Sequence, residues 1–252
     1  RKLMMEMKVT TAAAILNRQD RRRSFLRFQD GKCIGAPSCC GAHSRLNFET
    51  AVRNGHGHVL GHLLFECNHD GAHISFSADA FDEAAGRGSL KAIEFLHSHI
   101  SPLSREKPFA AATSRAMDLA CRFNHLHVAE FLRANRREGC SSKALIYSAE
   151  NGLLPVIEWL HANCKVATTT KAMNKAAENG HLHVVEWLHL NRNEGCSRAA
   201  FDEAAANGHL SMVKWLHHNR NEGCSRAAFD EAAANGHLSV VEWLQINRGE
   251  SG

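Results

Sequence analysis

"GCSRAAFDEAAANGHLSMVKWLHHNRNE", Gly195–Glu222, is followed directly by "GCSRAAFDEAAANGHLSVVEWLQINRGE", Gly223–Glu250. The two blocks differ at five of twenty-eight positions: Met212/Val240, Lys214/Glu242, His217/Gln245, His218/Ile246 and Asn221/Gly249. A block written twice marks a repeat array, in which each copy is one supersecondary unit. Outward from the "NGH" step, Gly180, Gly208 and Gly236 stand twenty-eight residues apart, and Gly152 and Asn124 carry the same register backwards. The spacing then widens to thirty-six residues back to Gly88 and thirty-three more to Gly55, with the extra length in the "SHISPLSREKPFAA" insert. Seven units are counted between about Leu46 and Glu250.

Each unit predicts two short helices. In "SRAAFDEAAANG", Phe201, Ala204 and Ala205 fall at i, i+3, i+4 on one helical face. Ser197 is placed to cap the start and Gly208 to end the helix. In "LSMVKWLHHNR", Leu210, Met212, Val213, Trp215 and Leu216 form an apolar stripe too broad for a helix covered on one side only. The columns repeat. The bulky first-helix position reads Phe48, Phe81, Met117, Leu145, Met173, Phe201, Phe229, and beside it runs a pair of small residues such as Ala176-Ala177. The second helix carries Phe95, Phe131, Trp159, Trp187, Trp215 and Trp243, a ring column expected in the core, with His62 in its place in the first unit. One hairpin cannot bury such a stripe alone, so neighbours must stack.

"AFDEAAANGHLSVVEWL" resembles the ankyrin-repeat core, with Phe201 at the family's Leu, Asp202 at its His, Ala204-Ala205 at its Ala pair and Gly208-His209 at its Gly-His step. The likeness spans about 46–250 and implies an all-α solenoid of about seven helical hairpins. Two departures are visible. The usual ankyrin period is about 33, against twenty-eight here, and the deficit lies between Leu216 and Phe229, where the family has its β-hairpin finger. The family's Thr-Pro is also missing. Shortened or absent fingers are therefore expected, in a short form similar to arrays of oomycete, amoebal and giant-virus proteins. The domain division is a basic N-terminal segment, 1–45, helical in part or disordered, and an array, 46–252.

The charge divides the same way. Residues 1–45 hold ten Lys/Arg against three Asp/Glu, and 46–252 hold twenty against twenty-three. Phosphate-driven nucleic-acid binding thus has little support in the array, and the Arg21-Arg22-Arg23 arm offers it a minor route. No apolar run reaches membrane-spanning length, so no membrane association is expected. Nine cysteines, with no secretory leader in view, read as free thiols of an intracellular protein, cytoplasmic with the nucleus open as an alternative. Cys33, Cys39, Cys40 and His43 lack the paired spacing of a zinc site, and the His125/His127 and His181/His183 pairs lack a third ligand, so no metal is expected.

No phosphate loop, nucleophile elbow or metalloprotease motif occurs, and Asp202-Glu203 recurs as Asp230-Glu231 in the manner of a structural element. No catalytic residue and no cofactor are expected, nor any evident pocket for small-molecule chemistry. The candidate site is instead a ladder at first-helix starts: Arg115, Lys143, Lys171, Arg198 and Arg226, with Asp202 and Asp230. The resemblance places first helices on the concave side, which suits a protein partner of unknown identity. The chain begins at Arg1 and the last unit has no polar closing repeat. These features predict a longer parent protein, for which the array would be the recruiting segment of a ligase adaptor or kinase, or an end that stacks on a second molecule.

Overall fold

The computed structural model describes residues 28–29, 32–33, 50–56, 60, 78–100, 114–137, 139–166 and 169–247. Within the N-terminal segment, β1 (Phe28–Gln29) and β2 (Lys32–Cys33) pair antiparallel, Phe28 opposite Cys33 and Gln29 opposite Lys32. The arginine run, Phe48, His62 and the side chains of the Cys33/Cys39/Cys40/His43 combination lie outside the described residues.

Six complete hairpins follow, all helical: α1 (Ala78–Gly86) with α2 (Leu90–Ile100), α3 (Ser114–Arg122) with α4 (Leu126–Asn135), α5 (Ser142–Glu150) with α6 (Leu154–Asn163), α7 (Thr170–Glu178) with α8 (Leu182–Asn191), α9 (Arg198–Ala206) with α10 (Leu210–Asn219), and α11 (Arg226–Ala234) with α12 (Leu238–Asn247). A helical turn at 50–53 represents the first unit. No strand is found between units among the described residues; the 192–197 connection is irregular, so the fingers of longer ankyrin repeats are absent there.

Every hairpin turns on one device. After α9, Gly208 takes φ +76°, its N–H donates to the Ala205 carbonyl, and the His209 N–H donates to the Ala204 carbonyl. This is a Schellman closure, which satisfies carbonyls that the helix end leaves open. Asn124 fills the same column at φ +61°, the one positive φ outside glycine among the described residues, with Cys121 and Ala120 as acceptors. Asparagine tolerates that region better than other side chains, so the exception keeps the rule.

First helices form one row, each against the first helices of its neighbours, and second helices form the other. The small pairs make the first row possible: Ala84, Ala85, Ala120, Cys121, Ser148, Ala149, Ala176, Ala177, Ala204 and Ala205 are all fully buried. Phe81, Met117, Leu145, Met173 and Phe201 fill the layer between the rows, facing Ile93, Ile157, Val185 and Val213 from second helices.

The ring column corrects the expectation of a buried core position. Phe131, Trp159, Trp187, Trp215 and Trp243 are only partly buried. The second-helix interior is filled by Val184, Val185 and Leu188 and their equivalents, and the ring one position round the helix reaches the edge. There it meets the histidine of the preceding unit edge-on: His97 on Phe131, His161 on Trp187, His189 on Trp215 and His217 on Trp243, with centroids 5.1 to 5.7 Å apart. T-shaped pairs of this kind contribute about 0.5–1.5 kcal/mol beyond area burial.

A second histidine column joins the units at their hairpin turns. His181 Nε2 lies 3.0 Å from the Glu150 carbonyl and His183 Nε2 3.1 Å from that of Gly152; His127 reaches Gly88 in the same way at 3.2 Å. Burial pushes the His125 and His181 imidazoles below the ordinary histidine value, and the neighbouring rings His127 and His183 push the same way, outweighing the carbonyls, which pull upward. The unfolded chain therefore takes up these protons more readily than the folded one. Stability is full above the unfolded value near about 6.5 and is lost as pH falls below it. The thermal midpoint is expected to be flat above about pH 7 and to drop as pH falls below about 6.5. His181→Gln should flatten that drop; an unchanged profile would remove this histidine as its source.

Candidate functional site

The five basic residues of the ladder all stand in the first turn of a first helix and are all exposed: Arg115 on α3, Lys143 on α5, Lys171 on α7, Arg198 on α9 and Arg226 on α11. Two or three residues further on, the bulky residue of the same turn faces the core, buried in each of these helices except α11. None of these five helices has an acidic residue in its first turn. A helix N-terminus favours anions and disfavours cations by about 0.3–1 kcal/mol. Local helix stability therefore does not account for five consecutive cations there.

Their immediate partners leave the charges facing water. Arg115 pairs with Asp79 of the preceding unit at 3.1 Å, both side chains 62% exposed. Arg226 pairs with Asp230 at 3.4 Å, and Arg226 is 86% exposed. Arg198 Nε donates to the Glu222 carbonyl at 3.0 Å, which holds its guanidinium over the next connection. Ion pairs this exposed are worth little to stability.

Asp202 is placed differently from Asp230. Its Oδ1 accepts from the backbone N–H of Ser225, the N-cap of the next first helix, at 2.8 Å. Asp118 does the same for Ser141 at 2.9 Å and also accepts from the Ser141 hydroxyl. Burial pushes the Asp118 carboxyl upward despite these bonds. Where the column holds Asn174, its Nδ2 donates to Ser197 Oγ at 2.7 Å, and Ser197 stands at the N-cap of α9 without accepting a helix N–H on its side chain. Ser141, Thr169 and Ser225 do accept from the N–H two residues on. This lock, twenty-three residues from carboxylate or amide to serine, couples α3 to α5, α7 to α9 and α9 to α11; between α5 and α7 the column holds Ile146, which cannot make it.

An open cleft of about 700 Å³ lies between the last two units. Phe201, Leu216, Trp243 and Leu244 form its apolar wall; Arg198, Arg220 and Glu222 stand at its polar side. Arg220 and Glu222 form an ion pair across one residue, and the guanidinium holds the Glu222 carboxyl below the usual range against the effect of burial. The same pair recurs as Arg192–Glu194 at 2.6 Å, nearly buried. The repeated "NRNEGC" was its sequence signal; missing fingers leave the connection short enough for Arg and Glu to fold onto each other. Among the described residues no group of three His, Cys, Asp or Glu is placed to hold a metal ion, and no helix is long and apolar enough to cross a membrane.

Stacked hairpins, each closed by a left-handed residue and joined to its neighbours, define a helical-repeat solenoid. Residues 173–217 and 201–245 match the family model for ankyrin repeats in many copies, so this part of the chain carries ankyrin repeats. Ankyrin repeats generally mediate protein–protein interaction. No curated protein matches the chain.

Proposed function

We propose that the chain is a non-catalytic scaffold that holds a partner protein along its first-helix starts, with acidic side chains of the partner against Arg115, Lys143, Lys171, Arg198 and Arg226. The observation that carries this is the row of exposed cations at helix N-termini, where the macrodipole opposes them. Helix spacing of about 8–10 Å per unit would set the five charges along roughly 40 Å, the reach of an extended acidic segment or a helix. Asp230 adds an anion at one end, Asp202 serves the next cap, and the cleft beside Arg198 offers a recess for an apolar side chain.

The test is the double variant Arg198→Glu/Arg226→Glu. Anions at these positions agree with the macrodipole, so the thermal midpoint should stay within about 2 °C of the parent. A protein retained by the intact array should be lost by at least about tenfold from the variant, and its retention should weaken with added salt. Equal retention by parent and variant would exclude the ladder from the interface.

A further inference from the structure

We propose that Cys140 and Cys164 form a reversible disulfide, a redox modification site that clamps the open end of the α5–α6 hairpin and takes a small-molecule disulfide such as glutathione disulfide as its oxidant. The register singles out this junction. The residue after the last Asn of each second helix reads Arg136, Cys164, Arg192, Arg220, Arg248, an arginine column broken once. The cysteine of the connection reads Cys140, Cys196, Cys224. Residues twenty-four apart in this frame meet: the Cys196 side chain hydrogen-bonds with Arg220, whose guanidinium is also held by Glu222. At the one break in the arginine column, the repeated cysteine meets a second cysteine, and the two thiols hydrogen-bond.

Local structure suits the exchange. Cys140 immediately precedes Ser141, the N-cap of α5, and Cys164 is the C-cap of α6, so the bond would tie the beginning of one hairpin to its end. Both thiols are free and only partly buried. The hydrogen bond from Cys140, with Arg133 nearby, holds the Cys164 thiol down at about 7 against burial, whereas burial pushes Cys121 up to about 12. Cys164 is thus the attacking sulfur and Cys121 a bystander. The Cys164 thiolate attacks one sulfur of glutathione disulfide, the S–S bond breaks, and one glutathione thiolate leaves. Cys140 gives its proton to solvent and attacks the Cys164 sulfur, and the second glutathione leaves. The protein dithiol loses two electrons, and the disulfide gains them as two thiols.

The intact chain, equilibrated in glutathione buffers, alkylated and cut with trypsin, should yield peptides 138–143 and 144–165 joined and two hydrogens lighter than their sum. Added reduced glutathione should reverse the link. In the reduced chain Cys164 should be alkylated at least about tenfold faster than Cys121 near neutral pH. Cys164→Arg restores the column and should abolish the link. Separate glutathione adducts on Cys140 and Cys164, or a link from Cys121 to either, would overturn the proposal. The peptide map of the unaltered chain decides the question even if the variant fails to fold.

Discussion

Phe201→Ala is expected to cost about 3–5 kcal/mol, and Phe229→Ala, the same change in a neighbourhood of identical sequence, about 1–2 kcal/mol. The stretch "RAAFDEAAANGHL" is common to both units. Phe201 is 5% exposed and Ala205 fully buried; Phe229 is only partly buried and its counterpart Ala233 is exposed. The difference is the neighbour. Helix α11 covers α9, and no described residue covers α11 on the corresponding side. Removing a ring already partly in water forfeits less transfer free energy and leaves less of a cavity. Urea unfolding of both variants, followed through tryptophan fluorescence, measures the difference. Equal costs would mean that stacking does not supply the burial.

Gly208→Ala is expected to be the more damaging of a second matched pair. Both Gly208 and Gly236 sit near φ +77°, where an L side chain costs roughly 1–2 kcal/mol, partly offset by a stiffer unfolded chain. At Gly236 a Cβ would meet nothing within 4 Å, whereas at Gly208 it would lie 2.5 Å from Nδ1 and 2.8 Å from Cγ of His237. Overpacking of that kind adds about 1–3 kcal/mol. The expected order is therefore Gly208→Ala well below Gly236→Ala in stability, with His237→Ala restoring most of the gap. A Gly208→Ala chain as stable as the Gly236→Ala chain would show that the histidine ring does not rest on the glycine. Gly88, Gly152 and Gly180 meet His125, His181 and His209 in the same way, so the column serves the turn and the junction together.

Much of the fold was legible because a repeat displays its columns. The glycine spacing located every hairpin turn, including the Asn124 substitution, and the small pairs located the helix row. The ring column misled because a broad apolar stripe does not say which of its edges faces the neighbour; Val184, Val185 and Leu188 take the interior and leave Trp187 at the rim with His161. The ladder was legible as charges at helix starts. Its separation into exposed cations and a cap-locking Asp202 was not, since that depends on a serine twenty-three residues away. The interval recurs for Asp118 and Ser141 and for Asn174 and Ser197, so a comparison of columns across units, rather than within one, would have found it.

By itself the sequence determined the repeat period, the residues that close the described hairpins and the shortness of the connections described between them, because these follow from local backbone preferences and from periodicity. Tertiary structure alone decided which of two identical phenylalanines is core, which aspartate serves a neighbour, and which two cysteines meet. Those outcomes depend on contacts between units, and burial belongs to a residue's surroundings rather than to its own unit.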